Sequence, residues 1–177
     1  MKLNRVVLFI LACSSLPLWG CASPANPQAM IPDAADIQQR HAGAVSVNVR
    51  GGSDTNPLWV SQVSNVDFKK AVEDAVVKYR VFDSVKPQGE APYHIEIVLQ
   101  KLAQPFAGFS MNVTAVTNWE LHRKGEAAPI WKDAVVSQHT ATVGDHFVGV
   151  ERLRLANEGA IKANIKEGIE KISRQKL

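Results

Sequence analysis

The 177-residue chain is predicted to fold as an α+β two-layer sandwich, a mainly antiparallel sheet of about four strands covered by two helices in the order β-α-β-β-β-α. Three observations point there. Apolar and polar residues alternate with period two in four segments, apolar residues recur at helical spacing in two others, and the last three strands are joined by connections too short for parallel crossovers. Residues 44–177 are expected to form one domain, long enough to bury an adequate core.

Ala44 to Arg50 sets Val45, Val47 and Val49 against Ser46, Asn48 and Arg50, the pattern of a half-buried strand that stops at Gly51-Gly52. Gly51-Gly52-Ser53 lacks the later Gly-Lys-Ser/Thr of a phosphate loop, so that function is excluded. Asp54, Asn56-Pro57 and Trp59 follow as loop. Ser64 with Asp67 approximates a capping box, and Phe68, Val72, Ala75, Val76 and Tyr79 then line one stripe of a helix over 64–79. Val81-Phe82-Asp83 suits a short edge strand before the turn at Pro87-Gln88-Gly89. Tyr93 to Leu102, Met111 to His122 and Ile130 to Val143 complete an antiparallel meander. The final helix, about Val150 to Ser173, carries the stripe Ile161, Ile165, Gly168, Ile169 and Ile172, with Ala156, Gly159, Ala160 and Ala163 small enough for close approach to a sheet.

The first 20 residues have the three parts of a secretory leader: basic Lys2 and Arg5, an apolar run from Val6 to Ala12 that continues less purely to Leu18, and small Gly20 before Cys21. The run falls short of the roughly 18 to 20 apolar residues that span a bilayer. Leu18, Gly20 and Cys21 resemble the lipobox of bacterial lipoproteins, with Trp19 the one departure; Gly20-Cys21-Ala22 also fits an ordinary small-x-small cut site. The resemblance implies a diacylglycerol on the Cys21 thiol, palmitate on the new amine after cleavage, and, since Ala22 is not the retaining aspartate, the periplasmic face of the outer membrane. Cys13 lies in the leader, so Cys21 would be the single cysteine of the mature chain and forms no internal disulfide. Residues 21–43, with Pro24, Pro27 and Pro32 and no sustained period, read as a lipidated tether that holds the domain about 25 Å from the lipid.

The net charge of +3 includes Lys2 and Arg5; without the leader 18 basic residues face 17 acidic ones, which excludes a nucleic-acid footprint. No Gly-x-Ser-x-Gly elbow is present, and His139 and His146 have no visible nucleophile, so no catalytic residue is assigned. His94, Glu96, Glu120 and His122 share the polar faces of two neighbouring strands. They read as a solvated sheet face, with Lys132 opposite Glu120, more readily than as a zinc or acid-base site; no metal and no cofactor are expected.

The connection Gln104-Pro105-Phe106-Ala107-Gly108-Phe109 replaces the usual polar turn with aromatics. Phe106 and Phe109 either fold back as a lid on the core or project as an apolar patch for a partner protein or the membrane, and Trp59 poses the same choice. The element order resembles small periplasmic lipoproteins of envelope assembly and transport-auxiliary systems, a likeness of pattern with no shared residue motif. The expected function is a non-catalytic, membrane-anchored binding or assembly module with an envelope protein as partner. Two alternatives are a carrier or sensor that holds an amphipathic ligand between helices and sheet, and a purely structural envelope protein.

Overall fold

The computed structural model describes residues 22–56 and 60–177. The lipobox, including Cys21, and Trp59 lie outside the described residues.

Five strands and two helices form the expected α+β sandwich. The order is β1 (His41–Arg50), α1 (Asn65–Tyr79), β2 (Phe82–Val85), β3 (Tyr93–Ala103), β4 (Ser110–Arg123), β5 (Trp131–Thr142) and α2 (Gly149–Ser173). The sheet runs β2-β1-β3-β4-β5. It is mixed, one strand larger than expected: β1 pairs in parallel with both β2 and β3, and only β3-β4-β5 is the antiparallel meander. Alternation within a strand reports which face is buried but not the direction of its neighbour. The α1 crossover between β1 and β2 is what makes that pair parallel.

Local chemistry explains the ends of the elements. Ser64 caps α1 by accepting from the Asp67 N–H at 3.0 Å, and Arg80 ends it in the left-handed conformation at φ 54°. At Gly51 φ is +86°, and a Cβ there would lie 2.2 Å from the Leu99 carbonyl oxygen, so β1 can leave the sheet only through glycine. Asp145 holds the turn after β5 by accepting from the Thr142 N–H at 2.7 Å; Val148 is the N-cap of α2 and offers no side-chain bond.

Both helices cover one face of the sheet, α1 over β1 and β2, α2 over β4 and β5. Phe68, Val72 and Val76 from α1, Ile95 and Ile97 from β3, Trp119 and Leu121 from β4, and Ile161, Ile165 and Ile169 from α2 fill the space between the layers. These side chains occupy the place where a ligand held between helices and sheet would have to sit.

The segment expected to be a free tether is instead a strap across both helices. Asn26 caps a 3-10 turn, Pro27–Met30, and Met30 is fully buried between α1 and α2. Pro32 O accepts from Tyr79 Oη at 2.6 Å and Lys78 Nζ at 2.7 Å, Asp36 N donates to Glu170 at 2.9 Å, and Gln38 N donates to Ser173 Oγ at 3.2 Å. A segment held by isolated side-chain contacts and without regular pairing has no hydrophobic period, so its composition resembles that of a linker.

α2 seats closely on the sheet at two glycines: a Cβ at Gly159 would lie 2.1 Å from the His139 ring of β5, and one at Gly168 would lie 2.6 Å from the Trp119 indole of β4. Beside it, Asn164 Oδ1 accepts from Thr117 Oγ1 at 2.7 Å and from Trp119 Nε1 at 3.1 Å, and its Nδ2 donates to Val135 O and Ser137 Oγ, both at 3.2 Å. Gly168→Ala should therefore destabilise the fold by about 1 to 3 kcal/mol in urea unfolding, because overpacking against the indole outweighs the helix-propensity gain of up to about 1 kcal/mol. An unchanged or raised midpoint would show that the indole has room to move.

Candidate functional site

One end of the molecule is poor in charge and carries exposed aromatic rings; the other is charged. The loops at residues 51–64, 104–109 and 143–148 emerge where β1, β3 and β5 finish; those at 86–92 and 124–130 emerge at the opposite end. Lys86, Glu90, Lys124 and Glu126 occupy the second set, whereas the first carries only Asp54 and Asp145, and residues 103–110 and 146–150 within it contain no Asp, Glu, Lys or Arg. Phe106, Phe109 and Phe147 project there with 96%, 84% and 85% of their surface exposed. The lid alternative for Phe106 and Phe109 does not hold, because both rings are exposed to solvent rather than folded over the core. A single exposed apolar residue is ordinary, but three phenylalanines on two adjoining loops are not.

The loops that carry these rings are held from beneath by α2. Gln104 Nε2 donates to Ser61 O at 2.9 Å and to Asn157 Oδ1 at 2.8 Å, and Asn157 Nδ2 reaches the same Ser61 O at 2.9 Å. One turn earlier on α2, Arg152 is buried, 6% exposed, and its guanidinium bridges both aromatic loops. Nη2 donates to Gly108 O at 3.0 Å, while Nη1 donates to Phe147 O at 2.6 Å and His146 O at 3.0 Å. Among the described residues no carboxylate pairs with Arg152, and its Nε has no partner. A cation dissolved in backbone carbonyls fixes the spacing of the chains that supply them. Phe106, Ala107 and Gly108 join Val60, Met111 and Leu153 around a shallow apolar depression of about 310 Å³.

The N-terminal strap joins the same end. Ser23 Oγ donates to Glu151 Oε1 at 3.2 Å, Asn26 N donates to Glu158 Oε1 at 2.8 Å, and Arg154 pairs with both glutamates, at 2.8 and 2.6 Å. Burial pushes the Glu151 carboxyl up, but bonds from Arg154 and Ser23 outweigh it and leave it below the usual glutamate value. Glu158 is only 3% exposed beneath the strap.

The His–Glu face is a separate, self-contained network. His94 stands opposite His122, and Glu96 opposite Glu120, with Lys132 across from Glu120 on β5. Each imidazole Nε2 lies near the carboxylate two residues along its own strand, 3.2 Å for His94–Glu96 and 3.1 Å for His122–Glu120. Ser46 Oγ takes His94 Nδ1 at 2.9 Å, and Asn48 and Arg50 hold Glu96. Partial burial pushes the Glu96 carboxyl up; the bonds from Arg50, Asn48 and His94 outweigh it and set it below the usual value. Among the described residues no group of three or more His, Cys, Asp or Glu is placed to hold a metal ion, and no helix is long and apolar enough to cross a membrane.

Comparison with known proteins gives fold likeness only. No protein-family profile matches the chain, and no curated protein sequence matches it. Among solved structures, the PelC dodecamer from Paraburkholderia phytofirmans is similar at TM-score 0.51 and 11% identity, over 81% of this chain and 95% of that one. The hypothetical protein CT253 from Chlamydia trachomatis is similar at TM-score 0.50 and 6% identity, over 75% and 94%. XCC0632 from Xanthomonas campestris, of family DUF330, gives 0.49 and 11%, over 86% and 93%.

Of the residues singled out in the sequence, Phe106 and Phe109 lie together at the apolar tip, with Val60, the first described residue after Trp59, beside Phe106. Phe147 and Arg152 were missed. The charge-free run His146-Phe147-Val148-Gly149-Val150 carried a signal for the first, but nothing in the sequence separates Arg152 from the other charges of its helix. Arg152→Met should lower stability by roughly 2 to 4 kcal/mol, since its three carbonyls lose charge-assisted bonds. Hydrogen exchange should quicken at residues 106–109 and 146–149 while the β4 amides keep their protection relative to global unfolding; a uniform change would deny Arg152 its local role.

Proposed function

We propose that this chain is a membrane-anchored periplasmic lipoprotein, a non-catalytic binding or assembly module of the cell envelope. The observation that carries the reading is the rigid apolar tip: three exposed phenylalanines on loops that a buried arginine and a buried asparagine hold in place. Exposed apolar surface of this kind opposes solubility unless something covers it, and such preorganised aromatics suit contact surfaces. The Leu18-Trp19-Gly20-Cys21 leader supports the anchor, and Ala22 after the cysteine favours the outer membrane's periplasmic face. The PelC structure of similar fold is a dodecamer, so the architecture is compatible with an assembly role. An amphipathic ligand between helices and sheet has less support, because that space is filled by the core.

Radioactive palmitate supplied to expressing cells should label the protein, and Cys21→Ser should abolish both the label and its sedimentation with outer-membrane vesicles. Labelling that survives Cys21→Ser would overturn the anchor assignment.

A further inference from the structure

The place where the chain enters the fold decides what the aromatic tip faces. Ala22 is already buried, Ser23 is bonded to Glu151 in the first turn of α2, and Ala25 N donates to Gln62 O at 3.4 Å. Gln62 in turn donates to Gln104, two residues before Phe106, and Glu151 adjoins Arg152, which holds the carbonyls of Gly108 and Phe147. Entry point and tip therefore belong to one end of the molecule. Cys21 is a single Cα step, about 3.8 Å, from buried Ala22, so no free length of chain separates an acyl group on Cys21 from this surface.

We propose that the tip is a lipid-docking surface: the acyl chains on Cys21 and the side chains of Phe106, Phe109 and Phe147 enter the same leaflet, so the domain rests tip-down on the bilayer that anchors it. The inference rests on the lipoprotein reading and gives the tip its occupant. A lipid surface is favoured over a protein by the adjacency of the anchor and by the lack of formal charge on residues 103–110 and 146–150, the segments that carry the three rings; Asp54 and Asp145, the acidic residues of the tip loops, are exposed and stay in the headgroup region. Bilayer affinity gained from apolar side chains adds to that of the anchor, the two-signal arrangement of stable peripheral attachment. α2 then rises from the membrane for about 37 Å, its 25 residues at about 1.5 Å each, and presents the charged loops at 86–92 and 124–130 to the aqueous space.

The test uses full-length protein purified from the envelope, with Phe109→Cys or, independently, Phe147→Cys carrying an environment-sensitive fluorophore and Lys166→Cys as control. Lys166 is half-exposed and well along α2. Each is reconstituted into phosphatidylethanolamine–phosphatidylglycerol vesicles containing doxyl-labelled lipid, and the mass of the N-terminal peptide is measured on the same sample. The expected result is an acylated Cys21, a blue-shifted and quenched label at 109 and 147, and a water-like, unquenched label at 166. Acylated protein whose labels at 109 and 147 match 166 would overturn the docking surface and leave the anchor standing. An unmodified Cys21 would overturn the anchor itself, and the proposal with it. Labels that become dry only when envelope proteins are added would give the tip to a protein partner and likewise overturn the proposal.

Discussion

The close seat of α2 on the sheet is the constraint on which the other irregular segments depend. Gly168 lets the helix backbone reach the Trp119 indole, and Asn164 replaces the hydrogen bonds that Thr117, Trp119 and Ser137 lose on leaving water. With the helix so placed, the remaining polar residues of its inner and flanking faces become fixed points. Arg152 holds two loops, Asn157 a third, and Glu151, Glu158, Glu170 and Ser173 hold the strap from end to end. A helix buried only through isoleucines would stabilise the same sandwich but would leave the tip loops and the N-terminal segment without partners. Burial of these polar groups is tolerable because nearly all are paired; among the described residues the exceptions are Ser61 Oγ and Arg152 Nε.

The elements with a strong period were legible. Phe68, Val72, Ala75 and Val76 of α1, the isoleucine stripe of α2 and the alternating faces of β3 and β4 lie where their spacing puts them, because burial of one face selects for that spacing. Strand direction was not legible, since parallel β1 and antiparallel β4 alternate in the same way. The strap was not legible for a related reason: Ala25 and Met30 are buried without periodic neighbours, and prolines that look like linker residues instead fix an extended path over the helices. At the tip, aromatics in a turn pointed to Phe106 and Phe109 but left their direction open. That direction is set by Arg152 and Gln104, residues whose bonding partners are distant in sequence.

The strap alters how the anchor bears on function. In the proposed lipoprotein, a flexible tether would separate an anchor at Cys21 from the proposed contact surface, and the domain would sample every orientation to the membrane. In that lipoprotein, a strap packed from Ala22 onward would remove that freedom and couple the anchor to one end of the fold. The aromatic tip, the depression beside Phe106 and the chain entry then act as one surface, while the groove of about 630 Å³ between strap, α2 and β5, lined by Asp33, His139, Glu158 and Lys162, opens on the flank. Orientation by a rigid linkage is the physical content of the lipoprotein reading here, and it would leave the flank and the charged end free for assembly.

Neutron reflectometry of the acylated full-length protein on a supported bilayer measures that orientation most directly. A packed strap predicts protein density that begins at the headgroups, with no intervening solvent layer and with part of its scattering inside them. A hydrated gap near 25 Å, the separation expected of a free chain of about 20 residues, would contradict it.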